Sequence, residues 1–177
     1  MAQFVALPSW TWRGATFSGA EWLEGLVLTE SSGNPEAVRY EPHQDRPDRT
    51  DRATDADEPG RDDGLLEDDR SYGLMQVMGS NVRRLCGIAP GVAVNFGFAL
   101  RPLTNLSLGL RVLTAELAMT GGDVTRALAR YNGGPTGDAL DLAGHMRRVE
   151  YVDRVARNAA VAKADRDSLR ASSPLQS

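Results

Sequence analysis

Three short segments of the chain carry side chains suited to acid–base chemistry on a polar substrate. They are Glu30-Ser-Ser-Gly-Asn-Pro35, Ser71-Tyr-Gly-Leu-Met-Gln-Val77 and Ala127-Leu-Ala-Arg-Tyr-Asn-Gly-Gly134. Glutamate exchanges protons, while serine, glutamine, tyrosine and asparagine donate and accept hydrogen bonds. Each segment alone is a weak signal, because an isolated glutamate at a helix end is more often a solvated surface residue. Together the three segments make Glu30 a candidate acid and base.

Glu30 falls at the C-terminal end of a predicted helix. Ser18 and Glu21 have the spacing of a capping box that starts this helix, and Gly33 and Pro35 stop it. The helix macrodipole disfavours negative charge at this end, and partial burial acts in the same direction, so both raise the pKa of the Glu30 carboxyl group. A carboxyl group that stays protonated near neutral pH can donate its proton to a glycosidic oxygen.

The order of the three segments resembles that of the soluble lytic murein transglycosylases. That family carries Glu-Ser-x-x-Asn-Pro, then Gly-Leu-Met-Gln, then Ala-x-x-Tyr-Asn-x-Gly. Two further features resemble it: Asn105 lies four residues before Gly109, and Tyr151-Val-x-x-Val155 matches a late Tyr-Val helix. The resemblance covers roughly residues 18–40 and 71–158. It implies a mainly α fold with a single lysozyme-like domain.

The resemblance also implies a reaction and a set of site residues. Glu30 would act alone as catalytic acid and base, cleaving the β-1,4 bond between N-acetylmuramic acid and N-acetylglucosamine in peptidoglycan glycan strands. The product would be a 1,6-anhydro ring, closed without water, and no metal or cofactor is implied. Gln76 would hydrogen-bond the sugar, Tyr131 would orient Glu30, and Asn132 would contact substrate. Ser31 either binds sugar or holds the Glu30 backbone, and a local cap is an equal alternative.

Residues 41–70 are predicted to form an acidic inserted loop. They contain twelve Asp or Glu against five Arg, with almost no hydrophobic residues before Leu65, and such a composition does not build a core. Goose-type lysozymes, which are similar in fold, place aspartates after the catalytic glutamate to activate water, and Asp68 or Asp69 could do so here. A solvated acidic loop is the simpler interpretation. The alternatives are therefore a water-using muramidase and, from another class, a non-catalytic wall-binding or structural virion protein.

The three segments lie within a longer predicted domain made of helices. The lysozyme-like domain is predicted over residues 18–165, after an extended N-terminal arm at 1–17 and before a C-terminal tail at 166–177. No pattern along the chain predicts a β-strand convincingly. Beyond the first helix, periodicity and cap signals predict helices over residues 74–78, 81–86, 106–119, 124–131 and 144–164.

Composition limits where the protein acts and what it binds. The 177 residues carry a net charge of −4, with 41% hydrophobic and 25% charged residues, as in an ordinary globular domain. No apolar run approaches the ~20 residues that span a bilayer, and the N-terminus has no basic and apolar regions of a signal peptide. We therefore expect delivery to the cell wall in a phage virion, by lysis or by a secretion machine. Phage tail proteins are expected partners, whereas nucleic acid and membrane are not.

Overall fold

The structure, a computed structural model, describes residues 6–41, 70–89, 92, 94–134, 137 and 142–172, with only the backbone of residues 142–147. The chain divides into two compact units, one of residues 1–29 and 113–177 and the other of residues 30–112. The described elements, in chain order, are β1 (Trp10–Trp12), β2 (Ala15–Phe17), α1 (Gly19–Ser31), β3 (Val38–Tyr40), β4 (Arg70–Tyr72), β5 (Val77–Met78), α2 (Gly79–Cys86), a 3-10 helix (Phe96–Leu100), α3 (Pro102–Met119), α4 (Val124–Gly133) and α5 (Leu142–Ser172).

Helix α1 begins with the capping box that the sequence predicts. The Ser18 backbone N–H donates to Glu21 Oε2 at 2.7 Å, and the Glu21 backbone N–H donates to Ser18 Oγ at 3.3 Å. The bond from the Ser18 backbone is the main reason why the pKa of Glu21 lies below its usual value. Trp22 and Leu26 of the apolar stripe are fully buried in the first unit. The prediction of this helix is confirmed.

In the first unit, α5 packs directly on α1, and Gly25 makes the close approach possible. A Cβ atom at Gly25 would lie 2.5 Å from the Val155 carbonyl oxygen and 2.6 Å from the Ala159 backbone nitrogen. Further along the same contact, Asn158 Nδ2 donates to Thr29 Oγ1 at 3.0 Å. The residue at position 25 must therefore lack a side chain for the two helices to meet as they do.

We expect Gly25→Ala to lower the free energy of unfolding by about 1–3 kcal/mol, because the new methyl group would overlap backbone atoms that cannot rotate away. Urea denaturation followed by far-UV circular dichroism measures this change. Gly133→Ala is the matched control, since a Cβ atom there has nothing within 4 Å. Equal unfolding midpoints for the two variants would contradict the close packing at Gly25.

Helix α5 continues to Ser172, well beyond the predicted end at Ala164. Lys163 Nζ lies 3.6 Å from Glu21 Oε1, and Arg166 forms an ion pair with Glu24. Partly exposed pairs of this kind stabilise only weakly, but both keep the last turns of α5 in register with α1. The first residues of the predicted tail are therefore helical, and residues 173–177 lie outside the described part of the chain.

The N-terminal arm forms a hairpin of β1 and β2, where the sequence predicts a single extended segment. The two strands pair antiparallel, and Trp10 is buried with its Nε1 donating to Thr125 Oγ1 of α4 at 3.1 Å. Trp12 Nε1 and the Arg13 guanidinium group donate to the two carboxylate oxygens of Asp153 on α5. The arm is thus fixed to helices of the first unit by indole and carboxylate hydrogen bonds.

The second unit contains an antiparallel sheet in the order β3-β4-β5. Tyr40 pairs with Arg70, and Tyr72 pairs with Val38 on one side and with Val77 on the other. No pattern in the sequence predicts these strands convincingly, because strands of two or three residues are too short to show an alternating pattern. The predicted helix over residues 74–78 was wrong, since a turn followed by β5 takes its place.

Aromatic and guanidinium contacts pack the rest of the second unit. Tyr72 meets Phe96 edge to face at 5.9 Å between ring centroids. Arg83 of α2 is buried with its guanidinium group over the Phe96 ring, and its NH1 donates to the carbonyl oxygens of Ala89 and Val92. The Arg83 guanidinium group therefore supplies hydrogen-bond donors to backbone carbonyls of the irregular segment that follows α2. The predicted helix over residues 81–86 is confirmed within α2.

The predicted acidic loop lies outside the described residues, except for its ends. Tyr40 and Arg70 are paired across β3 and β4, so the chain leaves and re-enters the sheet at adjacent positions, and opposite Cα atoms in such ladders are about 4.5–5.5 Å apart. We expect replacement of residues 42–69 by Asn-Gly-Thr to raise the free energy of unfolding by about 1–2 kcal/mol, because each halving of the loop length lowers the entropy cost of closure by about 0.6 kcal/mol. Urea denaturation tests this, and loss of cooperative unfolding would show that the segment belongs to the core.

Candidate active site

The candidate acid Glu30 is the penultimate residue of α1, as the sequence predicts. Its side chain is half-buried, and the last turn of α1 contains no basic residue. The chain then leaves the helix through Ser32 and Gly33, whose φ angles are 54° and 79°. Glu30 thus lies at the negative end of the α1 macrodipole.

Ser31 connects the end of α1 to the Gly73–Gln76 turn, which joins β4 to β5. Its hydroxyl group donates to the Leu74 carbonyl oxygen at 2.9 Å. The sequence allows three roles for Ser31: a local cap, a contact with the Glu30 backbone or a contact with sugar. The bond to Leu74 gives Ser31 a structural partner within the second unit. Glu30, directly before Ser31, is therefore held at a defined place relative to the Gly73–Gln76 turn.

Two left-handed residues shape the Gly73–Gln76 turn. Gly73 has φ 68° and Gln76 has φ 46°. The Gln76 backbone N–H donates to the Gly73 carbonyl at 3.1 Å, and the Gly73 backbone N–H donates to the Ala37 carbonyl at 2.7 Å. A left-handed glutamine is uncommon and persists only where surrounding contacts determine it. The hydrogen bonds of the Gln76 side chain hold its backbone in this conformation.

The Gln76 side chain is 8% exposed. Its Nε2 donates to the Gly73 carbonyl at 2.9 Å and to the Ala37 carbonyl at 3.1 Å. Its Oε1 accepts a hydrogen bond from Ser71 Oγ at 2.8 Å. Both amide hydrogens and one oxygen lone pair are therefore engaged within the protein. The sugar contact assigned to Gln76 by resemblance stays a prediction.

Asn105 of α3 holds the same turn from the opposite side. Its Oδ1 accepts from the Met75 backbone N–H at 2.8 Å, and its Nδ2 donates to the carbonyls of Tyr72 at 2.7 Å and Ala99 at 2.9 Å. The side chain is fully buried. The sequence shows its spacing to Gly109, but its role is not predictable there because its partners are backbone atoms distant along the chain.

Two glycines make room for this arrangement. A Cβ atom at Gly73 would lie 2.5 Å from Asn105 Nδ2, and one at Gly109 would lie 2.4 Å from Met75 Sδ. The Asn-x-x-x-Gly spacing therefore has a physical meaning in this chain. Asn105 hydrogen-bonds the Gly73–Gln76 turn. Gly109, four residues later on α3, leaves space for the Met75 side chain.

A second carboxylate, Glu41, lies in the same unit as Glu30. Its side chain is 15% exposed, and its Oε1 lies 2.6 Å from Arg39 Nε. The Ser71 hydroxyl group is 3.4 Å from the same oxygen. Sequence reasoning considered Asp68 and Asp69 as a second carboxylate, and both lie outside the described residues. Glu41 had no sequence signal beyond its charge.

The other two predicted site residues, Tyr131 and Asn132, lie on α4 in the first unit. Asp123 caps this helix, accepting from the Arg126 backbone N–H at 3.0 Å, as the sequence predicts. Near its other end, Arg130 Nε lies 2.6 Å from Glu116 Oε2 of α3. Tyr131 is half-buried and Asn132 is exposed. The contact of Tyr131 with Glu30 and the contact of Asn132 with substrate stay predictions.

A helical fold with a glutamate at the end of its first long helix, held against a Gly-Leu-Met-Gln turn, is typical of lysozyme-like proteins. The family model described as the transglycosylase SLT domain matches residues 18–147. The chain therefore belongs to the transglycosylase SLT domain family, which confirms the resemblance seen in the sequence. Neither the curated proteins nor the solved structures gave a match to this chain.

Family membership settles the broad class of the protein. The fold is a mainly α, single SLT domain, and the function is lysozyme-like cleavage of peptidoglycan. The match begins at the capping box of α1 and ends within α5, so the β1–β2 hairpin lies outside it. Among the described residues, no three His, Cys, Asp or Glu side chains are grouped as a metal site. None of the helices in the described ranges has the length and apolar character needed to cross a membrane.

Proposed function

We propose that this protein is a peptidoglycan lytic transglycosylase with Glu30 as its only acid and base. The bond cleaved is the β-1,4 bond between N-acetylmuramic acid and N-acetylglucosamine. The observation that carries the proposal is the hydrogen bond from Ser31 to the Leu74 carbonyl. This bond connects the end of α1, where Glu30 lies, to the turn that contains the second sequence motif.

The reaction needs two proton transfers at one carboxyl group. Glu30 first donates its proton to the glycosidic oxygen, which leaves with the bonding electron pair, while the acetamido group of N-acetylmuramic acid stabilises the positive charge at C1. The Glu30 carboxylate then removes the proton of the C6 hydroxyl group as the C6 oxygen bonds to C1. The 1,6-anhydro ring closes, Glu30 regains its proton, and no water is consumed. In this scheme Tyr131 orients Glu30, and Asn132 contacts the sugar.

A water-using muramidase is the second candidate, and Glu41 is the observation that favours it. Hydrolysis requires a group that removes a proton from the attacking water, and inverting glycosidases use a second carboxylate for this. The Glu41 side chain is mostly buried, and its Oε1 lies 2.6 Å from Arg39 Nε. Glu41 Oε1 also lies 3.4 Å from the hydroxyl oxygen of Ser71, which follows the acidic segment. In this second scheme Glu30 remains the acid.

Mass spectrometry of the muropeptides released from purified sacculi distinguishes the two candidates. We expect 1,6-anhydromuramic ends from the wild-type protein and from Glu41→Gln alike. Reducing ends from the wild type, lost in Glu41→Gln, would instead establish the muramidase. Binding to sacculi without any released product would contradict both and support a non-catalytic wall-binding protein. Phage tail partners and the route to the cell wall remain predictions from the sequence.

A further inference from the structure

The hydrogen-bond capacity of the Gln76 side chain identifies an internal role for it. A primary amide has two donor hydrogens and one acceptor oxygen. In Gln76 both hydrogens point at backbone carbonyls, those of Gly73 and Ala37. These two carbonyls fix which end of the amide carries oxygen, so the Ser71 hydroxyl group must be the donor to Oε1, at 2.8 Å. Ser71 is itself 1% exposed.

We propose that Ser71 and Gln76 are positioning residues that hold the Gly73–Gln76 turn, and through it Glu30, rather than ligands of the sugar. This inference rests on the proposed function, because it concerns how the acid Glu30 is placed. The path has three steps, all within the second unit. Ser71 orients the Gln76 amide, and that amide fixes the Gly73 and Ala37 carbonyls. The turn then presents the Leu74 carbonyl to Ser31, the neighbour of Glu30.

The charged pair beside Ser71 explains why a serine is suited to this position. Glu41 Oε1 lies 3.4 Å from Ser71 Oγ, and Arg39 Nε lies 2.6 Å from the same Glu41 oxygen. A serine hydroxyl has one hydrogen to donate. The shorter contact, to Gln76, is the better hydrogen bond by distance. The Glu41 carboxylate accepts its hydrogen bond from Arg39 instead. Alanine at position 71 would therefore leave the Gln76 oxygen buried without this donor.

Two substitutions of Gln76 separate the positioning role from sugar binding. In Gln76→Ala, the Gly73 and Ala37 carbonyls each keep a backbone donor, from Gln76 N and Gly73 N. In Gln76→Glu, a carboxylate would face both carbonyls, and acceptors that face each other repel. The positioning role therefore predicts that the melting temperature falls further in Gln76→Glu than in Gln76→Ala. A sugar ligand predicts instead that Gln76→Ala lowers the affinity for the oligomer while Gln76→Glu keeps full stability, because a carboxylate also accepts hydrogen bonds from sugar hydroxyl groups.

Ser71→Ala tests the effect on catalysis, with Ser107→Ala as its control. Ser107 is an exposed serine on α3 in the same unit, and it has no assigned role. Measurements are the melting temperature, kcat and KM on soluble glycan strands well below each melting temperature, and the affinity for an N-acetylglucosamine oligomer. We expect Ser71→Ala to lower kcat by about tenfold to a hundredfold, because small displacements of a catalytic group have effects of this size. KM and oligomer affinity should change by less than about twofold, well below the tenfold change that 1.4 kcal/mol of binding energy produces.

Three results would overturn the positioning role. One is a lower oligomer affinity in Gln76→Ala together with full stability in Gln76→Glu, which would make Gln76 a sugar ligand. Another is a lower melting temperature in Ser71→Ala with an unchanged kcat, which would make the contact merely structural. The third is identical behaviour of Ser71→Ala and Ser107→Ala. An inactive wild-type protein would instead contradict the proposed function, and the melting temperatures of the Gln76 variants would still test the internal hydrogen bonds.

Discussion

Replacing Glu30 with glutamine should lower the rate of sacculus lysis by a factor on the order of 10³ or more, because one residue carries both proton transfers. Glutamine has nearly the same shape as glutamate but no acidic proton. The substitution should leave the fold intact, since a neutral amide is at least as well tolerated as a carboxyl group at the C-terminal end of a helix. Turbidity of purified sacculi measures the rate, and circular dichroism checks the fold.

Glu36→Gln is the matched control for this substitution. Glu36 lies in the same unit, six positions later in the sequence, and its side chain is exposed. The control removes the same charge and should retain lysis within about twofold, as expected for a surface substitution away from the chemistry. Lysis retained by Glu30→Gln would reject the assignment of the acid, whatever the control shows.

Replacing Asn105 with alanine should lower the free energy of unfolding by about 3 kcal/mol or more, because it removes three buried hydrogen bonds at once. The groups affected are the Met75 backbone N–H and the carbonyls of Tyr72 and Ala99. Alanine would also leave a cavity next to Gly73, where the asparagine now fits closely. Asn105→Asp should be equally damaging, since an oxygen would then face two carbonyls in place of the amide nitrogen.

Asn81→Ala provides the comparison for Asn105. Asn81 of α2 is only half-buried, and its Oδ1 accepts from the guanidinium group of the exposed Arg84 at 3.0 Å. We expect a change below about 0.5 kcal/mol, as is usual for surface positions. Urea denaturation of the two variants measures both values. If Asn105→Ala were no more destabilising than Asn81→Ala, the turn would not depend on Asn105.

Local signals in the sequence were sufficient to predict where α1 and α4 begin. The capping box of Ser18 and Glu21 and the N-cap Asp123 are formed by residues three positions apart, so the pattern and the hydrogen bond lie in the same short segment. The position of Glu30 at the end of α1 followed from the same reasoning. Helix α5 was predicted to end at residue 164, and the ion pair of Arg166 with Glu24 of α1 lies beyond that end and leaves no local pattern.

The turn beside the candidate acid could not be predicted from local signals. Residues 74–78 contain good helix formers, yet three side chains from elsewhere bind the backbone of this region: Ser31, Asn105 and, through the Gln76 amide, Ser71. Tertiary hydrogen bonds thus override helix propensity here. The role of Ser71 was missed for the same reason, since its partner is an amide whose orientation depends on the carbonyls of Gly73 and Ala37.

The pairing of Tyr40 with Arg70 makes this point of the sheet a natural site for protein engineering. Any guest whose own two ends lie close together, such as a small binding domain or an epitope hairpin, could be spliced between these strands without stretching the host. Over evolutionary time, the same geometry would let the catalytic scaffold gain or lose whole segments there.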